Sequence, residues 1–116
     1  MKLTEVNDQS FKEHVRPLGV TLVDFSTTWC PPCKALMPVL EELADAYGSQ
    51  VSMLKVDCDD SPETASAFGV MANPTVIVFR DGEPAEKLVG LRPSGAYRAV
   101  LDRHLVPDGE SSSARN

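Results

Sequence analysis

One stretch of the chain decides the fold: Thr21-Leu22-Val23-Asp24-Phe25-Ser26-Thr27-Thr28-Trp29-Cys30-Pro31-Pro32-Cys33. Its first five residues are mostly β-branched or apolar, which predicts a strand buried on both faces inside a sheet. A helix should follow Cys33, because apolar residues then recur on one helical stripe: Leu36, Leu40, Leu43 and Tyr47. The two cysteines therefore lie where a central strand passes into a helix.

Short apolar runs and helical patterns alternate over the rest of the chain. Three further strands are predicted, at 51–57, 75–80 and about 85–89, and Asp81-Gly82 signals a hairpin between the last two. Three further helices are predicted, at 11–15, 62–69 and about 93–105. Asn7 or Asp8 should cap the first of these helices. The order predicts an α/β domain with a central mixed sheet flanked by helices, its last strand antiparallel.

Length and composition set the class of protein. The 116 residues predict one domain over residues 1–106, followed by a loose polar tail at 107–116. A net charge of −6 repels phosphate backbones, so a nucleic-acid partner is disfavoured. No apolar run approaches the roughly 18 residues of a membrane span, and no apolar leader opens the chain. Three cysteines are too few for a secreted disulfide scaffold. We therefore expect a cytoplasmic monomer that binds no membrane.

The motif Cys30-Pro31-Pro32-Cys33 carries the chemistry. The same spacing occurs in zinc sites, but zinc needs four ligands, and only Cys58 and two distant histidines remain as candidates. The redox interpretation fits better, because Cys30 would lie at a helix N-terminus, where unpaired N–H groups favour a thiolate. Cys30 should also be the more accessible cysteine. We therefore predict Cys30 as the nucleophile and Cys33 as the resolving thiol.

The chain resembles the thioredoxin family from about Leu3 to Leu105. The motifs that carry the resemblance occur in the family's order: Val23-Asp24-Phe25, Trp29-Cys30-Pro31-Pro32-Cys33-Lys34, Pro38, Asn73-Pro74-Thr75, Asp81-Gly82 and Gly90. In the family, the matching segments are a strand with a buried aspartate, the active site, a helix kink, a loop with a cis-proline, and a hairpin with its following glycine. The resemblance implies the thioredoxin fold, with helices on both faces of the sheet.

The resemblance also implies a function, the reduction of protein disulfides by dithiol–disulfide exchange. Asp24 should be desolvated with a raised pKa, and the family's matching aspartate accepts the proton of the resolving cysteine. The implied partners are client proteins with disulfides and a flavin-dependent thioredoxin reductase that uses NADPH. No bound cofactor is implied, because the redox group is the Cys30–Cys33 pair itself.

A docking face for clients is implied around the cysteines. We expect a cis bond before Pro74, which would leave the backbone of Asn73 free to pair with an extended client. The predicted substrate-binding residues are Trp29, Asn73, Pro74, Val89 and Gly90, and Pro31 is expected to form part of the same face.

Four residues depart from the family pattern. Pro31 replaces the usual glycine, so Pro31 and Pro32 together should tune the redox equilibrium. Met53 stands where a lysine near the buried aspartate is usual, and Lys55 lies two residues further along the same strand face. Asn73 is polar where an apolar residue is commoner. Ser26 replaces a tryptophan, which leaves the active-site loop less supported.

Cys58 has no partner in the sequence, and two roles stay open for it: an inert small residue or a thiol that dimerises on oxidation. Its aspartate neighbours should raise its pKa.

Two alternative functions also remain open. The motif Trp29-Cys30-Pro31-Pro32-Cys33 is similar to that of extracytoplasmic thiol reductases of cytochrome maturation, although their usual anchor and mid-fold insertion are not visible. The other alternative is a thioredoxin-fold binding module without catalysis.

Overall fold

The computed structural model describes residues 2–105, and the predicted tail at 107–116 lies outside that range. Five strands form one sheet: β1 (Thr4–Val6), β2 (Val20–Ser26), β3 (Val51–Asp57), β4 (Thr75–Arg80) and β5 (Glu83–Val89). Their order is β1-β3-β2-β4-β5. β3 runs parallel to β1 and β2, whereas β4 is antiparallel to β2 and β5 is antiparallel to β4. The predicted mixed sheet with an antiparallel last strand is confirmed.

Four α-helices cover the sheet: α1 (Phe11–His14), α2 (Pro31–Tyr47), α3 (Pro62–Ala67) and α4 (Ser94–Leu105). A short 3₁₀ turn, Gly48–Gln50, joins α2 to β3. Pro38 lies inside α2, which continues through it to Tyr47. No helix among the described residues is long and apolar enough to cross a membrane.

Two separate cores lie on the two faces of the sheet, because successive residues of a strand point to opposite sides. Val20 and Leu22 of β2 pack with the apolar stripes of α2 and α4. Val23 and Phe25, the alternate residues, pack with Phe11 of α1 and with α3. All seven residues of β2 are buried, as its apolar composition predicts. Asp24 follows the alternation of Val20 and Leu22, which places its carboxyl under α2.

The structure corrects the predicted elements in two places near the N-terminus. β1 was not predicted, because three residues are too few to show a period, and it forms only by pairing with β3. Asp8 does not cap α1. Its carboxylate instead accepts hydrogen bonds from the backbone N–H of Thr64 (2.8 Å) and Glu63 (3.3 Å) at the start of α3. Asn7 serves the turn before α1 by accepting from the Ser10 N–H.

The predicted hairpin at Asp81-Gly82 is confirmed. Both residues have positive φ, 52° and 85°, the conformation of the tight turn that matches the twist of two antiparallel strands. The partner strand begins at Glu83, two residues earlier than predicted. The turn places Val89 and Gly90, at the end of β5, beside the loop that precedes β4.

Candidate active site

Cys30 and Cys33 form a disulfide at the start of α2. Cys30 is the N-cap residue with extended backbone, and its Sγ accepts a hydrogen bond from the Cys33 N–H at 3.3 Å. The Cα atoms are 5.2 Å apart. Pro31 opens the helix, a position where its missing N–H costs no hydrogen bond. In this oxidised form the two cysteines are 4% and 3% exposed, so accessibility does not distinguish them.

The loop before β4 lies against the disulfide. The peptide bond between Asn73 and Pro74 is cis, as predicted. The Asn73 carbonyl oxygen lies 3.7 Å from Cys30 Sγ. The Pro74 carbonyl accepts the Gly90 N–H at 2.8 Å, which ties the end of β5 to the same loop. The structure thus brings together Cys30, Asn73, Pro74 and Gly90, which come from three segments far apart in the sequence.

Trp29 lies on the surface beside Cys30. Its side chain is 66% exposed, and its indole Nε1–H donates to Asp59 Oδ2 at 2.8 Å. Trp29 therefore does not pack into the core. Val89 is also exposed, as a docking face requires.

Sequence reasoning missed two exposed apolar residues next to this surface. Met71 is 96% exposed and lies two residues before Asn73, and Leu91, also exposed, follows Gly90 directly. The sequence indicates them only by their closeness to Asn73 and Gly90, two predicted substrate-binding residues. The exposure of a single apolar residue leaves no periodic pattern in the sequence.

Asp24 is a fully buried carboxyl group on β2. Neither of its oxygens has a hydrogen-bond partner among the described residues. Burial raises the pKa of Asp24 to about 6, and the positive charge of Lys55 opposes that rise. The nearby Ser26 hydroxyl opposes it too, although it forms no hydrogen bond of ordinary geometry. A carboxyl group with a pKa near 6 can exchange a proton close to neutral pH.

Lys55, not Met53, lies opposite Asp24. The register of the parallel strands pairs Asp24 with Lys55 and Leu22 with Met53. Met53 belongs to the core under α2 and α4. The sequence left open whether Lys55 takes the place of the usual lysine, and the register places Lys55 beside Asp24.

A cavity of about 190 Å³ lies beside the resolving cysteine and is lined in part by Ser26, the residue that replaces the usual tryptophan. Polar and apolar surface both line it, from Ser26, Thr27, Thr28, Cys33, Lys34, Met37 and Lys55. The hydroxyl oxygens of Ser26 and Thr27 are buried without a partner among the described residues. A space of this size can hold water, which would satisfy these two hydroxyls.

Cys58 lies just beyond β3, with its N–H bonded to the Ser26 carbonyl at 2.8 Å. Its thiol is half-buried and donates to Asn73 Oδ1 at 3.5 Å. Burial, followed by the charges of Asp57, Asp24 and Asp59, raises the pKa of Cys58 to about 11. The predicted direction of the shift is confirmed. Nowhere in residues 2–105 do three His, Cys, Asp or Glu side chains come together to hold a metal ion.

Comparisons with known proteins agree with this geometry. The thioredoxin family model matches residues 2–103. Thioredoxins of Staphylococcus haemolyticus and Staphylococcus saprophyticus are 50% and 48% identical to the chain over 105 residues, which are 90% of this chain and the whole of each relative. A mutant thioredoxin from Halobacterium salinarum superposes with a TM-score of 0.81 at 34% identity. The match covers 90% of this chain and 93% of that one.

The matched proteins and the disulfide lead to the same chemistry. The redox group is the Cys30–Cys33 pair, and no cofactor is needed. Disulfide-bearing client proteins and a reductase are the general partners of such a protein. Fold, site and sequence identity together show that the chain belongs to the thioredoxin family and is a thiol–disulfide oxidoreductase.

Proposed function

We propose that this chain reduces disulfides in client proteins, with Cys30 as the attacking thiolate and Cys33 as the resolving thiol. One observation carries the proposal: the Cys30–Cys33 disulfide lies at the first turn of α2, with Cys30 as its N-cap. The N–H groups at a helix N-terminus stabilise a thiolate in the reduced form. The Cys33 N–H already points at Cys30 Sγ and supplies one such donor.

The first step transfers the client to the protein. The Cys30 thiolate attacks one sulfur of the client disulfide, that S–S bond breaks, and the other client sulfur leaves as a thiolate. A mixed disulfide between Cys30 and the client remains. Because the Asn73 backbone lies against Cys30 and the exposed Trp29 precedes it in the chain, an extended client segment would lie along the docking face predicted above.

The second step releases the client. Cys33 loses its proton, and its thiolate attacks Cys30 Sγ, which forms the internal disulfide and frees the second client thiolate. Asp24 is the proposed proton acceptor, because its pKa of about 6 leaves it mostly ionised, yet basic enough, near pH 7. The cavity beside Cys33 is also lined by Ser26 and Lys55, the two groups that act on the Asp24 carboxyl, so water in it would lie between Cys33 and the surroundings of Asp24. The client leaves with two thiols, and the protein has gained one disulfide.

The Cys30–Cys33 disulfide must then be reduced before the protein can act again. We assign this step to a flavin-dependent thioredoxin reductase that uses NADPH, as the family relationship implies. We also assign the protein to the cytoplasm, an assignment that the family relationship supports. The unpaired Cys58 thiol fits a reducing compartment, where free cysteines persist.

The proposal is tested by NADPH-coupled reduction of insulin with thioredoxin reductase. The wild-type chain should sustain NADPH oxidation, whereas Cys30→Ser should reduce it to the background rate. Cys58→Ser is the matched control, since it makes the same substitution outside the active pair and should keep full turnover. Equal rates for the wild-type chain and Cys30→Ser would refute the proposal.

A further inference from the structure

The Asn73 side chain is held by Cys58. Cys58 Sγ lies 3.5 Å from Asn73 Oδ1, and the backbone of Cys58 is fixed to β2 through the Ser26 carbonyl. The pKa of Cys58 is raised to about 11, so the thiol keeps its proton and remains a donor at neutral pH. Through its backbone carbonyl, 3.7 Å from Cys30 Sγ, Asn73 also flanks the reactive sulfur.

This contact determines the orientation of the Asn73 side-chain amide, that is, whether its oxygen or its nitrogen faces Cys58. A thiol donates a hydrogen bond and is only a weak acceptor, so the amide oxygen faces Cys58 and the Nδ2 group faces away. The side chain of Asn73 is partly exposed, and Nδ2 donates to no group in the described part of the chain. A fixed, unused pair of N–H donors therefore lies at the rim of the active site, near Cys30 Sγ, the sulfur that attacks the client disulfide.

The charges around this rim limit what can accept from Asn73. Asp57 and Asp59 flank Cys58 in the chain, and both act on its thiol. Asp59 and Asp60 are exposed. A client carboxylate brought to Asn73 would meet these like charges, whereas a neutral oxygen would not.

We propose that Asn73 Nδ2 donates a hydrogen bond to a neutral side-chain oxygen of the client residue adjacent to the attacked cysteine, and that Cys58 is the residue that positions the amide. Asn73 is thus a specificity-determining residue, and the favoured clients carry Thr, Ser, Asn or Gln beside the cysteine. This inference rests on the function proposed above.

The experiment uses disulfide-bonded peptides that differ only at the residue next to the attacked cysteine. Thr and Val have nearly the same shape, so comparing them tests whether a side-chain oxygen on the client improves the reaction. Comparing Asn with Asp tests whether that oxygen must be uncharged. For the wild-type chain, kcat/KM should be about fivefold higher for Thr than for Val, the size of one neutral hydrogen bond. It should also be higher for Asn than for Asp. Equal values for Thr and Val would overturn the inference.

Three variants locate the origin of the preference. Asn73→Leu should abolish the Thr-over-Val ratio, Cys58→Ala should remove most of it, and Cys58→Ser, which keeps a donor, should preserve it. The ratio is measured within each variant, so a general loss of folding or activity cancels from it. If Asn73→Leu keeps the Thr-over-Val ratio of kcat/KM, a group other than Asn73 recognises the client side chain, and the inference is wrong.

A small aromatic disulfide without peptide flanks separates this inference from the function on which it rests. If the wild-type chain reduces that compound but does not distinguish the peptides, only the inference fails. If it reduces neither the compound nor the peptides, the proposed function fails, and the inference fails with it.

Discussion

Lys55 lies directly opposite Asp24 on the neighbouring parallel strand, on the same face of the sheet. No ion pair within 4.0 Å joins them, since neither Asp24 oxygen has a partner among the described residues. The lysine acts through its charge alone, and it opposes the effect of burial on the aspartate without cancelling it. The pKa of Asp24 consequently remains raised, at about 6, which is close to neutral pH.

We predict that Lys55→Met raises the pKa of Asp24 further, because the substitution removes the charge that favours the carboxylate. The expected rise is about half a unit to one unit, since the pair lies beyond contact distance. Carbon-13 NMR of the Asp24 carboxyl group over a pH series measures it. Lys34→Met is the matched control, because Lys34 lines the same cavity but does not act on Asp24. An unchanged titration in Lys55→Met would contradict the prediction.

A second prediction concerns stability. In the folded chain Asp24 holds its proton up to about pH 6, whereas the unfolded chain releases it near the ordinary value of 3.8. Between these values the folded state binds more protons, so stability falls as the pH rises through that window. The difference corresponds to about 3 kcal/mol of destabilisation at pH 7.5, at 1.36 kcal/mol for each pH unit.

Asp24→Asn removes the buried charge and should therefore stabilise the protein more at pH 7.5 than at pH 4. The free energy of unfolding in urea measures the gain at each pH, and the two gains should differ by about 2–3 kcal/mol. Comparing two pH values isolates the carboxylate, because the buried amide of the variant costs the same at both. Asp60→Asn, an exposed control, should show no such difference. A gain that is equal at both pH values would rule out the buried charge as its cause.

The position of the cysteine pair and the burial of Asp24 were predictable, because both follow from local pattern. The apolar run of β2 indicates a strand buried on both faces, so Asp24 within it should be buried too. The helical pattern after Cys33 places the cysteine pair at a helix N-terminus. The partner of Asp24 was not predictable. Met53 and Lys55 share one face of β3, and only the register against β2 selects between them. The Asp8 cap of α3 joins residues 56 positions apart, which no local pattern encodes. β1 has too few residues to show a period.

The third prediction separates the two steps of exchange. Asp24→Asn should slow resolution of the mixed disulfide on the order of a hundredfold, the usual contribution of a positioned base, and change the initial attack far less. In the wild-type chain the resolution rate should fall as the pH drops below about 6, because Asp24 becomes protonated. Stopped-flow fluorescence of Trp29, the only tryptophan and the neighbour of Cys30, follows both steps.

Cys33→Ser supplies the control for that measurement. Without the resolving thiol, only the initial attack by Cys30 remains, so its rate can be compared with and without Asp24→Asn. If Asp24→Asn slows the initial attack more than the resolution, Asp24 is not the proton acceptor for Cys33.

The last prediction concerns Pro31, the first residue of α2. Proline fixes φ near the helical value, so in the reduced form the turn between the cysteines stays close to the shape that the disulfide requires. A glycine at this position increases the conformational freedom of the dithiol more than that of the closed disulfide. The substitution should therefore stabilise the reduced form by up to about 1 kcal/mol relative to the oxidised form. Pro31→Gly should therefore raise the reduction potential by about 10–20 mV, measured by equilibration with glutathione. Pro62→Gly is the matched control, because Pro62 opens α3 in the same way but lies away from the cysteines. A glutathione equilibrium that is unchanged in Pro31→Gly would show that Pro31 does not tune the pair.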